Sequence, residues 1–153
     1  MIKYLLHLLH NLLSVIILCS MLINCSIINI KNKVDPQLQS FHDEFIHYAE
    51  IKNPTTIVVF GDLPGGGDVS GAIGVCNYLF KRVTIDRRYW KEATLSQKRA
   101  LMWHELGHCE LFMGHNDKMI DRYCPQSLMH PYLAPEGCLQ LYWERYKLEF
   151  RRK

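Results

Sequence analysis

A capping box opens the stretch that most constrains how this chain can fold. Thr94-Leu95-Ser96-Gln97 offers a hydroxyl to the first helical turn and a glutamine that can reach back to it. The helix it starts is expected to run from Leu95 to about Met113. Ala100, Leu101, His104, His108, Leu111 and Phe112 then fall along one broad face. Two histidines thus sit among apolar residues, where a buried imidazole needs a polar partner. Positions four apart lie one turn apart on the same side of a helix. His104 and His108 can therefore reach one metal ion, which would be that partner. Any fold for the chain must bury this face and still leave room for an ion.

The start of the chain is expected to stay outside the fold. Lys3 is the only Lys, Arg, Asp or Glu before Lys31, and Leu12 to Ile23 is almost wholly apolar. A charged start and a short apolar run fit a secretory signal better than a membrane span. Residues 1–25 read as a signal peptide, 26–35 as a tether and 36–153 as one domain, with no internal repeat. The four cysteines of that domain, Cys76, Cys109, Cys124 and Cys138, fit an oxidising compartment and allow two disulfides in any pairing. No C-x-x-C pair suggests a structural metal site. A formal charge of +3 is too mild for a nucleic-acid partner, and Arg87-Arg88 and Arg151-Arg152-Lys153 read as solvated ends.

The rest of the domain reads as α+β. Asp35-Pro36 opens a helix pattern through about Ile51, carried by Leu38, Phe41, Phe45, Ile46 and Ala49, and Pro54 ends it. Thr55 to Phe60, Ala72 to Leu79 and Arg82 to Ile85 read as strands. Between the first two lies a loop with Gly65-Gly66-Gly67, which lacks the Lys-Ser/Thr of a phosphate loop. Asp86 reads as a turn residue, or as a cap for something near the site. Gly137 to Phe150 reads as a closing amphipathic helix packed through Leu139, Tyr142, Trp143, Tyr146 and Phe150.

A catalytic zinc takes three protein ligands and keeps one position for water. The third candidate is His115, since Gly114 can turn the chain sharply at the helix end. Asp117 is the nearest competitor. Glu105 projects beside the first histidine and can act on a metal-activated water without being a ligand. Glu110, further along, is expected to be solvated.

His104-Glu105-Leu106-Gly107-His108 matches the H-E-x-x-H signature of zinc hydrolases. With Ser127-Leu128-Met129-His130-Pro131 beyond it, the chain resembles the metzincin clan of zinc peptidases, whose methionine-containing turn passes beneath the metal. That clan would place its third histidine at position 114 and a glycine at 111, which here are Gly114 and Leu111. The arrangement H-E-L-G-H-C-E-L-F-M-G-H looks more like a group of small bacterial secreted or lipoprotein metallopeptidases related to metzincins. The likeness spans about residues 72–150, including Ile73-Gly74-Val75-Cys76 and Ile85-Asp86.

The resemblance implies a zincin fold: a small twisted, mostly β sheet packed on an active-site helix, a Met-turn and a C-terminal helix. It implies zinc held by His104, His108 and His115, with Met129 as an apolar floor. Glu105 would be the general base that lets an activated water cleave a peptide or protein substrate. Some clan members use a tyrosine two residues after the methionine, where this chain has Pro131 and then Tyr132. Leu22-Ile23-Asn24-Cys25 resembles a bacterial lipobox, with Asn24 where a smaller residue is usual. Lipidation of Cys25 would anchor an exported, monomeric protein at the membrane of the cell envelope; without it the protein would be secreted. The alternatives are a non-catalytic envelope lipoprotein that uses the fold to bind a partner, and an amidase acting on cell-wall peptide.

Overall fold

The computed structural model describes residues 33–64 and 71–151. The expected signal segment 1–25, Cys25 within it, nearly all of the tether and the glycine run lie outside the described residues. Among those described, no helix is long and apolar enough to cross a membrane. Val34, read from the sequence as part of the tether, bridges Val58 in parallel and is buried.

The architecture is mixed α+β, with a small three-stranded sheet and four α-helices among the described residues. Helix α1 (Gln39–Tyr48) precedes strand β1 (Ile57–Gly61), and strands β2 (Gly74–Asn77) and β3 (Arg82–Asp86) follow. The sheet order is β1-β3-β2, with β1 parallel to β3 and β2 antiparallel to it. Val58, Val83 and Ile85 supply its buried apolar residues, which suits their β-branched shape. Helix α2 (Arg87–Glu92) is one that apolar spacing missed. Asp86 starts it: its carboxylate is fully buried and accepts the Tyr89 N–H at 2.9 Å and the Leu63 N–H at 3.1 Å. The cap that the sequence offered as an alternative to a plain turn is thus formed, and it also ties down the loop after β1.

Helix α3 (Leu95–Leu111) begins with the full capping box on Thr94 and Gln97. Its burial differs from expectation. Nearly every residue from Ala100 to Glu110 is buried, so the helix threads the interior and has no single inward face. Trp103 shows why. Its indole packs edge-on against Phe45 of α1, Trp143 of helix α4 (Glu136–Lys147) and Phe150 of the terminal 3-10 turn, at centroid distances of 5.4, 5.1 and 5.5 Å. Covered by α1 and α4 as well as the sheet, α3 buries Glu110 too. That carboxylate accepts the backbone N–H groups of Thr55 and Thr56 at 3.0 and 2.8 Å, correcting its reading as solvated. Two disulfides complete the frame. Cys76–Cys109 ties β2 to α3, and Cys124–Cys138 ties the preceding loop to α4. Such bridges fit the oxidising compartment expected for an exported protein.

A candidate three-histidine metal centre

The end of α3 decides where the third histidine goes. The helix stops at Leu111, and Phe112 adopts the left-handed conformation at φ 57°. The Met113 N–H reaches back to the Gly107 carbonyl and the Phe112 N–H to that of His108, both at 3.1 Å, closing a left-handed C-terminal cap. Phe112 therefore makes the reversal assigned from sequence to Gly114. A left-handed bend costs a non-glycine residue roughly 1–2 kcal/mol. Lys81 offsets part of that cost: its Nζ donates to the Cys109 carbonyl at 2.7 Å and lies 3.8 Å from the Phe112 ring centre. Phe112 itself is 68% exposed, not on a buried face as expected.

The reversal carries His115 back to the helix. His108 Nε2 lies 3.0 Å from His104 Nε2 and 3.1 Å from His115 Nε2. Asp117 is not part of this group. The far nitrogens explain the chemistry of the cluster. His104 Nδ1 points at the Leu128 carbonyl at 2.7 Å, and His108 Nδ1 at the Met113 carbonyl at 2.6 Å. A carbonyl only accepts, so both Nδ1 atoms carry the proton and both Nε2 atoms present lone pairs. Facing lone pairs repel unless an electrophile lies between them. Tetrahedral zinc bonds of about 2.0–2.1 Å would separate ligand nitrogens by about 3.4 Å, close to what is found. The donor set fits a metal ion.

Electrostatics agrees with that assignment. Burial pushes His104 down to about 4, assisted by the neighbouring imidazoles, against the pull of its bond to Leu128. Burial also lowers His108. Both rings are thereby kept neutral near pH 7, the state that binds metal.

Glu105 lines the same cleft as the three histidines and is 5% exposed. Burial pushes its carboxyl up to about 8, with the Cys76 amide pulling the other way. A position that sequence reading leaves without a role makes this packing possible. A Cβ on Gly74 would stand 2.6 Å from Glu105 Oε1 and 2.9 Å from Leu101 Cδ1, so only glycine lets β2 pass so close to the carboxylate. The signal is present in Ile73-Gly74-Val75-Cys76, but its reason lies across the fold.

Gly107 does the same within the helix. A Cβ there would meet Met129 Sδ at 2.7 Å and Phe150 Cε1 at 2.8 Å. Met129 is 1% exposed, so its sulfur packs directly under the site helix. Both neighbours are buried. Gly107→Ala is expected to destabilise the domain by about 1–3 kcal/mol through overpacking, read from the midpoint of urea unfolding. An unchanged midpoint would mean that Met129 and Phe150 yield without cost.

The cleft has a volume of about 1060 Å³, with residues 71–76 and 131–135 in its lining. Tyr132 lies in it and is 76% exposed. Tyr78 is a lining residue that sequence reading does not single out. Its hydroxyl is 3.2 Å from His108 Nδ1. The chain matches no protein-family model, no curated protein and no solved structure.

Proposed function

We propose that this protein is a zinc-dependent peptidase of metzincin-like type, exported and tethered to the cell envelope by a lipid on Cys25. The observation that carries this reading is the convergence of three imidazole nitrogens beside a buried glutamate in an open cleft. Three imidazole donors suit zinc among the common divalent ions, and His115 is exposed, leaving the cluster accessible from solvent. Zinc in such a set supplies a Lewis acid and brings a coordinated water toward neutral pKa. The chain's own residues do the rest. Residues 71–76 and 131–135, which line the cleft with the histidines, would hold the substrate. Glu105 takes a proton from the attacking water and returns it to the departing amine. Its burial suits the second half of that task, because a carboxyl removed from water holds a proton readily.

The test uses the full chain. Metal content after dialysis against zinc, and cleavage of a mixed peptide library with and without a chelator, are measured together. One zinc per chain is expected, with cleavage that the chelator abolishes and added zinc restores. Cleavage indifferent to chelation, or a chain that takes up no zinc, would overturn the reading.

A further inference from the structure

The supports of two of the three histidines converge on one short segment, Ser127 to Met129, and a carboxylate from the end of the chain holds it. Glu149 lies in the 3-10 turn Leu148–Phe150 that continues α4. Its Oε2 accepts the Ser127 hydroxyl, and its Oε1 accepts the Leu128 N–H at 2.8 Å. Ser127 Oγ in turn accepts the Met129 N–H at 2.9 Å. That N–H belongs to the same peptide unit as the Leu128 carbonyl, which accepts the Nδ1–H of His104 at 2.7 Å. The Met129 carbonyl accepts the Asn116 N–H at 2.9 Å, one residue beyond His115.

An unbroken path of hydrogen bonds therefore runs from the Glu149 carboxylate through the Ser127 hydroxyl and one peptide unit to the far nitrogen of His104. No ion pair accounts for it. Ser127 and Met129 are buried, and Glu149 forms no ion pair with any cation among the described residues. Burial raises the Glu149 carboxyl despite its two donors. Removing a carboxylate from water without a counter-charge costs a fold stability, and an uncharged residue of the same shape would cost less.

We propose that Glu149 is a positioning residue of the metal centre, acting on His104 through Ser127 and the Leu128–Met129 peptide. Its negative charge makes the Ser127 oxygen a stronger acceptor, which draws on the Met129 N–H and enriches the Leu128 carbonyl. A richer carbonyl holds the Nδ1 proton of His104 more firmly and leaves Nε2 a better donor. Metal-bound histidines often receive this help from a carboxylate in direct contact. Here the carboxylate works at one remove, from the closing turn. The same brace reaches the loop that carries His115 through the bond from the Asn116 N–H to the Met129 carbonyl.

The inference rests on the three histidines being metal ligands, and its test separates the two. Zinc affinity of the full chain is measured by competition with a chromophoric chelator for wild type, Glu149→Gln, Ser127→Ala and the double variant. Each single variant is expected to bind about tenfold more weakly, the low end of what direct partners of a ligand histidine contribute. The double variant should be no weaker than the weaker single one, because both interrupt one path. Metal-free Glu149→Gln should unfold at no lower urea concentration than wild type. The ¹⁵N shift of His104 Nε2 in the zinc-loaded protein should move in both single variants. Wild-type affinity in both, additive losses, or losses that track metal-free stability would overturn the role of Glu149. A wild type that binds no zinc would instead overturn the metal centre itself. Should Glu149→Gln not fold, Ser127→Ala decides alone, since it leaves the carboxylate in place.

Discussion

Glu105→Gln is expected to bind zinc as tightly as wild type and to cleave peptides about 10²–10⁴-fold more slowly, the usual contribution of a positioned acid–base group. Glutamine keeps the shape that Gly74 accommodates, so the cleft wall stays intact, but it cannot take a proton from water. Metal content and cleavage rate are compared on the same preparation. Full activity in Glu105→Gln would remove the general base from the proposed reaction. The variant also carries a signature in metal-free protein. Glu105 holds its proton to about 8 in the fold against an ordinary value of 4.5, so the folded chain binds more protons than the unfolded one between those values. Stability then falls as pH rises from about 4.5 to about 8. Glu105→Gln should lose that slope and be the more stable protein at alkaline pH.

His115→Ala is expected to lose zinc by far more than the roughly 10–100-fold that follows loss of a contact to a ligand's far nitrogen. One of three donors is gone, and the remaining imidazoles face an open cleft. The metal-free domain should scarcely notice. His115 is exposed, and a substitution there should stay within about 0.5 kcal/mol. Chelator competition and urea unfolding separate the two effects. Zinc affinity equal to that of wild type in His115→Ala would transfer the third ligand elsewhere, with Asp117 the residue to substitute next.

Much of this site is legible in the amino-acid sequence. His104, Glu105 and His108 declare themselves because helical spacing is local, and the capping box on Thr94 marks where that helix begins. The strands at residues 55–60, 72–79 and 82–85 are recognisable from β-branched and aromatic residues; in the fold the first is shifted to 57–61, the second shortened to 74–77 and the third extended to 86. Helix α2 is not, because it is short and its start depends on the buried Asp86. Glu110 misleads for a related reason: a glutamate reads as solvated until the backbone amides of Thr55 and Thr56 are brought to it from far away in sequence.

Spacing along the chain thus settles which residues can share a helix turn, and with them the first two candidate ligands and the candidate base. Only the folded arrangement brings His115, and not Asp117, to the other two histidines, pairs Cys76 with Cys109 and Cys124 with Cys138, and moves the left-handed turn from Gly114 to Phe112. It alone gives Gly74 and Gly107 their reasons and links Glu149 to His104. Helical periodicity is a property of neighbours a few residues apart. A contact between distant segments depends on how the whole core packs, and no local pattern encodes that.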